Sequence, residues 1–275
     1  MQRRDLLGGP DAATARATVA VFAGDPADSV QRQAAQLAAQ LGLSLVQSEN
    51  PAFEMLLTVT AERLELRFPQ PGGPGPMVVD FVEGRHGYAR CIHRFRLLFK
   101  AVGFRRGPLT VLDATAGLGR AAFCLAYHGC RVTAIERSPI LYALLRDGLD
   151  RADRVPEIKE HLEGRLRVLC DDTREYLQRL ALEDAPDVVY LDPMFPEKKK
   201  SALVKVEMRI LRRLIGDDLD AAELFNLACA VARQRVVVKR SREAVPLAPH
   251  PSHSHSDGTT RYDVYLRPQH FSSPA

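Results

Sequence analysis

A short polar segment after an apolar strand carries the residues best suited to chemistry. Tyr190 and Leu191 end an apolar run, and Asp192, Pro193 and Phe195 follow it. A carboxylate and a backbone carbonyl can accept the protons of an exocyclic amine, and an aromatic ring can stack on a flat base. The segment therefore indicates a site for a nucleobase amine. Asp-Pro is also a common way to leave a strand, so the segment alone leaves both interpretations open.

A second group of residues forms a glycine turn between a strand and a helix. Asp113 begins the turn, and Gly117 and Gly119 lie where the backbone must approach a ligand closely before a helix opens at Arg120. Glu136 ends the next strand, where a carboxylate accepts the ribose hydroxyls of NAD or of S-adenosylmethionine. An acidic first residue suits an ammonium group and a sulfonium centre but repels a pyrophosphate. The turn therefore favours S-adenosylmethionine.

The ends of the next two strands complete this predicted site. One strand ends in Asp172 and Thr173, where a carboxylate either accepts the adenine amino group or caps the following helix. Ligands of doubly wound sheets lie beyond the carboxyl ends of the strands, so Asp192 should face the same crevice as Gly117 and Glu136. This order favours methyl transfer to an amine, which needs positioning and no metal. The residues predicted to hold the base are Asp192, Pro193 and Phe195.

The composition is that of an ordinary globular protein. With 275 residues, 46% hydrophobic and 26% charged, the chain can form one large α/β domain, alone or with a small appendage. No apolar run reaches the roughly 18 residues of a membrane span, so we expect a cytoplasmic protein with no membrane partner. The five scattered cysteines argue against disulfides and zinc. His250, His253 and His255 lack the spacing of a metal site, and we predict no metal.

Basic residues cluster on both sides of the predicted site. The formal net charge is only +4, but acidic residues concentrate elsewhere and leave basic clusters at 85–106, 198–205 and 239–242. Such clusters can contact the phosphates of a nucleic acid, or each can be a solvated surface. The residues predicted to bind RNA are Arg94, Lys198, Lys199, Lys200, Lys205, Lys239 and Arg240.

The first part of the chain predicts a small α/β element without obvious chemistry, residues 1–82. A strand over 18–22 precedes a helix from Ser29, its predicted cap, to Leu41, and Gly42 ends that helix. A strand over 43–46, a hairpin over 55–68 and a strand over 77–82 follow. Residues 83–108 are predicted to contain a basic connecting helix, over 90–102.

Residues 109–275 predict a Rossmann-like domain. Apolar, β-branched strands over 109–112, 131–135, 166–169, 188–191 and 235–238 alternate with helical stretches, as in a parallel doubly wound sheet. The helices are predicted over 120–128, 139–150, 173–180, 201–215 and 220–233. The alternating segment 260–266 is predicted as a last strand in an antiparallel carboxyl-terminal edge.

Together these motifs resemble one known family. Residues 113–120, Glu136-Arg137, Tyr190-Leu-Asp-Pro-Met-Phe-Pro196, Lys200-Ser-Ala-Leu-Val-Lys205 and Arg235-Val-Val-Val-Lys-Arg240 are similar to ribosomal RNA small subunit methyltransferase J. The resemblance implies a class I methyltransferase fold. It also implies S-adenosylmethionine-dependent methylation of guanine N2 in 16S ribosomal RNA, with that RNA or the 30S particle as partner.

The resemblance also implies the cofactor contacts. Position 121, usually aspartate in the family, is alanine here, so only a backbone contact carries over. Asp172 and Thr173 replace a pair that is often two serines and keep acceptor groups. The segment 90–96 departs from the family's glycine-rich pattern, which places RNA contacts there in question. By resemblance the cofactor residues are Arg120, Ala121, Glu136, Arg137, Asp172, Thr173 and Asp192. The glycine turn adds Asp113, Gly117 and Gly119 to the predicted cofactor residues.

Two other functions fit the same motifs. Asp-Pro-x-Phe can hold the N6 amine of adenine as well as the N2 amine of guanine, so an adenine methyltransferase acting on DNA or RNA is an alternative. A ribosome assembly factor with a degenerate Rossmann domain is the non-enzymatic alternative. The residues do not predict the oligomeric state, or whether naked RNA or an assembled particle is the substrate.

Overall fold

The computed structural model describes residues 18–83, 87–90, 93, 95–104, 109–194, 214 and 220–267. The described residues fall into two units. One comprises 18–80 and Ser138–Ala152, and the other comprises the described parts of Phe81–Arg137, Asp153–Phe195 and Asp218–Ala275. The predicted boundaries at 82 and 108 stay predictions. Among the described helices, none has the length and apolar character needed to cross a membrane.

Strands and helices alternate through most of the described chain. The strands are β1 (Val19–Ala23), β2 (Ser44–Val46), β3 (Met55–Val59), β4 (Leu64–Arg67), β5 (Thr110–Asp113), β6 (Arg131–Glu136), β7 (Leu166–Cys170), β8 (Val188–Leu191), β9 (Arg235–Ser241), β10 (His253–Asp257) and β11 (Thr260–Leu266). The helices are α1 (Asp28–Leu41), α2 (Arg96–Val102), α3 (Arg120–Tyr127), α4 (Pro139–Ala152), α5 (Pro156–Leu162), α6 (Thr173–Gln178) and α7 (Ala221–Val231). Two 3-10 turns, Tyr88–Arg90 and Leu182–Asp184, complete the described elements.

The first unit contains a four-stranded sheet in the order β2-β1-β3-β4. β1 pairs in parallel with β2 and β3, and β3 and β4 form the predicted hairpin. Gly42 ends α1 in the left-handed conformation with φ 62°, as predicted. Ser29 is not the cap of α1, because the helix begins at Asp28 and Ala27 is its cap residue.

Two predicted elements before residue 109 differ from the structure. The strand expected over 77–82 is reduced to a single bridge between Met77 and Leu66, because the preceding proline- and glycine-rich loop leaves little chain in register. Of the helix expected over 90–102, the structure describes Arg90 in the 3-10 turn Tyr88–Arg90, a helical residue at His93 and α2 from Arg96 to Val102, while 91, 92 and 94 lie outside the described residues. α2 buries Leu98, Phe99, Ala101 and Val102.

The second unit contains the predicted doubly wound sheet. Seven strands lie in the order β10-β11-β9-β8-β5-β6-β7, with β5 to β9 parallel. β11 runs antiparallel to both β9 and β10, which confirms the antiparallel carboxyl-terminal edge. The order places β8, β5 and β6 side by side, and these strands precede the three predicted site segments.

One face of this sheet packs against α6 and α7. Leu112, Val189 and Val236 contribute from the strands, while Leu177 and Phe225 contribute from the two helices. Two elements were not predicted. α5 begins with Pro156 at its first turn, and β10 is polar because an edge strand with one neighbour needs no apolar pattern.

Candidate active site

Three neighbouring strands bring their carboxyl ends to one place. β5 ends at Asp113, β6 at Glu136, and β8 is followed by Asp192. The parallel registers pair Asp113 with both Ala134 and Tyr190, so the three carboxylates leave the sheet within about two residues of each other. The sequence placed Asp192 in one crevice with Gly117 and Glu136, and the sheet order brings the ends of these three strands together.

The glycine turn has the backbone conformation that the sequence predicted. Gly117 and Gly119 have φ angles of 55° and 70°, in the left-handed region that favours glycine. A Cβ built on Gly117 meets no atom within 4 Å, so the turn opens onto free space. The Gly117 N–H donates to Glu136 Oε2 at 2.7 Å, which ties the turn to the end of β6. Arg120 and Ala121 follow at the half-buried start of α3.

Asp113 lies inside the protein rather than on the surface of the site. Its side chain is 1% exposed and accepts a hydrogen bond from the Thr115 N–H at 3.3 Å. Burial, followed by the charges of Asp192 and Glu136, raises the pKa of Asp113 to about 7. The carboxyl group is therefore only partly ionised near neutral pH. Its predicted contact with the cofactor stays a prediction.

The buried Asp113 carboxyl group should make stability depend on pH. Between about pH 4 and pH 7 the folded protein keeps a proton that the unfolded chain has lost, so this group destabilises the fold as pH rises. Asp113→Asn removes that contribution. The difference in unfolding free energy between the variant and the wild type should grow by about 2–3 kcal/mol in favour of the variant as pH rises from about 5 to about 8. Urea unfolding followed by circular dichroism measures this difference. If the unfolding free energies of the variant and the wild type differed by the same amount at both pH values, the raised pKa of Asp113 would be contradicted.

The end of β7 is held against the glycine turn. The Thr173 hydroxyl donates to the Ala114 carbonyl at 2.7 Å, and the Asp172 carboxylate caps α6 by accepting from the Arg174 N–H at 2.8 Å. Hydrogen bonds from the Arg174 side chain lower the pKa of Asp172. Asp172 therefore caps the helix, which is one of the two interpretations that the sequence left open.

Arg137 and Arg174 share a second carboxylate near the same segment. Arg137 Nη1 lies 3.3 Å from Asp220 Oδ2, and Arg174 Nε lies 3.3 Å from the same oxygen. Arg174 also pairs with Glu223. This network fixes Arg137 beside the end of β6, and its predicted contact with the cofactor stays a prediction.

Asp192 is held from three sides. Its backbone N–H donates to Thr115 Oγ1 at 2.7 Å, and its Oδ2 accepts from Lys239 Nζ at 2.6 Å. Tyr190, which is 1% exposed, makes a hydrogen bond with the Asp192 side chain, and burial raises the pKa of its phenol well above the ordinary range. The phenol is therefore the donor. The sequence predicted neither Thr115 nor Tyr190 as a site residue, although both lie within the motifs that it singled out.

The basic residues predicted to bind RNA have different surroundings. Lys239 faces Asp192, whereas Arg240 donates from Nη2 to the Val245 carbonyl at 2.6 Å and has a pKa lowered by burial. Pro193 is buried. The remaining residues of these predictions lie outside the described residues: Arg94, Phe195, Lys198, Lys199, Lys200 and Lys205.

The arrangement fits an adenosine cofactor with a positively charged side chain. Open space lies above Gly117, and Glu136 supplies a carboxylate at the end of the next strand. Asp172 and Asp192 supply further acceptors at the ends of two other strands of the sheet. In the part of the chain that the structure describes, no group of three or more histidine, cysteine or acidic side chains could hold a metal ion.

Comparison with known proteins identifies the class and then the family. A sequence family described as "Putative SAM-dependent methyltransferase" matches residues 36–267. A crystal structure of a SAM-dependent methyltransferase from Neisseria gonorrhoeae is 31% identical, covers 90% of this chain and 96% of its own, and gives a TM-score of 0.68. Fold and site thus define a class I methyltransferase that uses S-adenosylmethionine.

The curated relatives are more specific. Ribosomal RNA small subunit methyltransferase J of Aeromonas salmonicida is 48% identical over 88% of this chain and 95% of its own. The protein of that name from Thioalkalivibrio sulfidiphilus is 45% identical over 87% and 94%, and that from Pseudomonas aeruginosa is 44% identical over 93% and 96%. The chain belongs to the family of ribosomal RNA small subunit methyltransferase J.

Proposed function

We propose that this enzyme methylates the N2 amine of a guanine in 16S ribosomal RNA, in the cytoplasm. The observation that carries the proposal is Asp192 at the end of β8, beside the glycine turn, with its backbone N–H held by Thr115 and its carboxylate held by Lys239. The names of the relatives supply the class of RNA. The choice of guanine over adenine comes from the family resemblance.

The proposed chemistry begins with the acceptor amine. The lone pair of an exocyclic amine is delocalised into the base, so the amine is a weak nucleophile. Asp192 and the Pro193 carbonyl can accept hydrogen bonds from its two N–H groups. These hydrogen bonds hold the nitrogen so that its lone pair points away from the ring. S-adenosylmethionine supplies the methyl group when it is bound. The chain contributes mainly position, which is a large term for a reaction between two held groups.

The cofactor is proposed to lie along the carboxyl ends of β5, β6 and β7. Glu136 would accept hydrogen bonds from the ribose hydroxyls. The open space at Gly117 would let the ligand lie close to the backbone of the turn. Asp172 and Thr173 already serve a helix cap and a link to Ala114, so the adenine contact proposed there would share their acceptor groups.

The RNA must present an unstacked base. If the target guanine lies in structured RNA, it has to leave its stack before Asp192 can reach it, and Phe195 is proposed to stack on it. Arg94, Lys198, Lys199, Lys200, Lys205 and Arg240 are proposed to contact phosphates. The partner is proposed to be 16S RNA, either free or in the 30S particle.

Nucleoside analysis tests this function. The purified protein is incubated with S-adenosylmethionine and with 16S RNA or 30S particles from a strain that lacks the gene, and the digested RNA is analysed by mass spectrometry. We expect N2-methylguanosine at one position. N6-methyladenosine would instead support the adenine alternative. Binding of the RNA without any methylation, on both substrates, would support the assembly factor.

A further inference from the structure

Lys239 occupies an unexpected place for a basic residue in an RNA-binding protein. The parallel register pairs Leu191 with Val238, so the following residues, Asp192 and Lys239, lie side by side. Lys239 Nζ is 2.6 Å from Asp192 Oδ2, and the two side chains are only 33% and 38% exposed. A phosphate would have to compete with this carboxylate for the ammonium group.

Building on the proposed function, we propose that Lys239 is a positioning residue for methyl transfer rather than a phosphate contact. Its ammonium group holds Oδ2 of Asp192, and the Tyr190 phenol holds the same carboxylate from the interior. A carboxylate has about four acceptor positions on two oxygens, so positions remain for the protons of the substrate amine. The two donors fix the rotamer in which those positions are presented.

The charges around Asp192 explain why a cation is needed there. Asp113 on β5, which is only partly ionised near neutral pH, interacts with the charges of both Asp192 and Glu136, while the phenols of Tyr190 on β8 and Tyr262 on β11 pack nearby. Asp192 and Glu136 both raise the pKa of Asp113, and Lys239 lowers it. Lys239 thus offsets negative charge that would otherwise raise the pKa of Asp113 further.

The fold holds Lys239 in this place. It lies within β9, where the neighbouring strand β11 places Tyr262 directly opposite. Tyr262 is 4% exposed, and its ring lies 6.4 Å from that of Tyr190. The backbone of Lys239 is therefore held rigidly by the sheet. A flexible phosphate contact would not require this.

Lys239→Met separates the two roles, because it removes the ammonium group but keeps an unbranched side chain. For a positioning residue we expect kcat at saturating RNA to fall about 10²-fold, with RNA affinity unchanged within about threefold. Lys159→Met is the matched control, since Lys159 forms an exposed pair with Asp153, and all its values should equal those of the wild type.

A phosphate contact predicts the opposite pattern. RNA affinity would then fall, the slope of log affinity against log salt concentration would decrease by about one, and kcat at saturating RNA would stay unchanged. That result would overturn the inference. Thermal unfolding and calorimetry with S-adenosylmethionine establish that each variant is folded. If Lys239→Met does not fold, Lys239→Gln is measured for the same contrast.

The same experiment keeps this inference apart from the proposed function. If the wild type methylates neither 16S RNA nor 30S particles, the proposed function fails. If the wild type is active and Lys239→Met keeps its kcat, only the role of Lys239 is refuted. Tyr190→Phe gives a further readout: its effect on kcat should be less than additive with that of Lys239→Met, because both groups hold one carboxylate.

Discussion

Asp192→Asn is expected to lower kcat for methylation of 16S RNA by about 10²–10⁴-fold, the range for loss of a positioned proton acceptor. The asparagine would turn its carbonyl oxygen toward Lys239, which lies 2.6 Å from Asp192 Oδ2 in the native site. Its amide N–H groups would then face the protons of the substrate amine. Two donors cannot hydrogen-bond each other, so the amine loses its acceptor and its orientation.

Single-turnover methylation at saturating RNA and cofactor measures this effect directly. Affinity for S-adenosylmethionine, measured by calorimetry, should change by less than about tenfold, so the loss in kcat should be much the larger effect. Asp153→Asn is the matched control, because Asp153 also pairs with a lysine but is exposed on the surface. Near-native kcat in Asp192→Asn would rule out Asp192 as the acceptor.

Glu136→Ala should produce the largest loss of cofactor affinity. Two hydrogen bonds from ribose hydroxyls to a carboxylate contribute about 1.5–3 kcal/mol each, so a loss of about 10²-fold or more in affinity is expected. Part of this loss would come from the turn itself, because the Gly117 N–H donates to Glu136 Oε2 at 2.7 Å. Calorimetry with S-adenosylmethionine is the direct measurement.

Glu136→Gln distinguishes these two contributions. Glutamine keeps a carbonyl oxygen for the Gly117 N–H but loses the charge and one acceptor oxygen, so its affinity should lie between those of the wild type and Glu136→Ala. Glu49→Ala, at an exposed ion pair with Arg67, should bind the cofactor like the wild type. Equal binding by Glu136→Ala and the wild type would remove Glu136 from the cofactor site.

Local patterns predicted most of the elements because each element is determined over a short stretch of chain. β-branched apolar runs predicted β5 to β8 within one residue at each end and the start of β9, which extends three residues further, and Gly42 ended α1 where expected. The predictions failed in two ways: one strand without the usual pattern was not predicted, and one segment with that pattern did not form a strand. β10 is polar because it has one neighbouring strand, and the segment 77–82 forms only a bridge although it is apolar.

The composition of the candidate site was predictable for a similar reason. In a parallel sheet, functional residues follow the strand ends, so Gly117, Glu136 and Asp192 could be assigned to one crevice before the strand order was known. Their surroundings could not be predicted. Asp113 was expected to face a cofactor, and its 1% exposure places it in the interior.

By itself the sequence determined the order of strands and helices, the glycine turn, the carboxylate that follows β8, and the family. Only the tertiary structure decided which residues contact Asp192. Lys239 is 47 residues from Asp192 in the chain, and Thr115 is 77 residues away. Strand order and register bring them together, and both depend on packing across the whole sheet rather than on any local pattern. Lys239 was therefore predicted from sequence to contact RNA, whereas the fold places its ammonium group on Asp192.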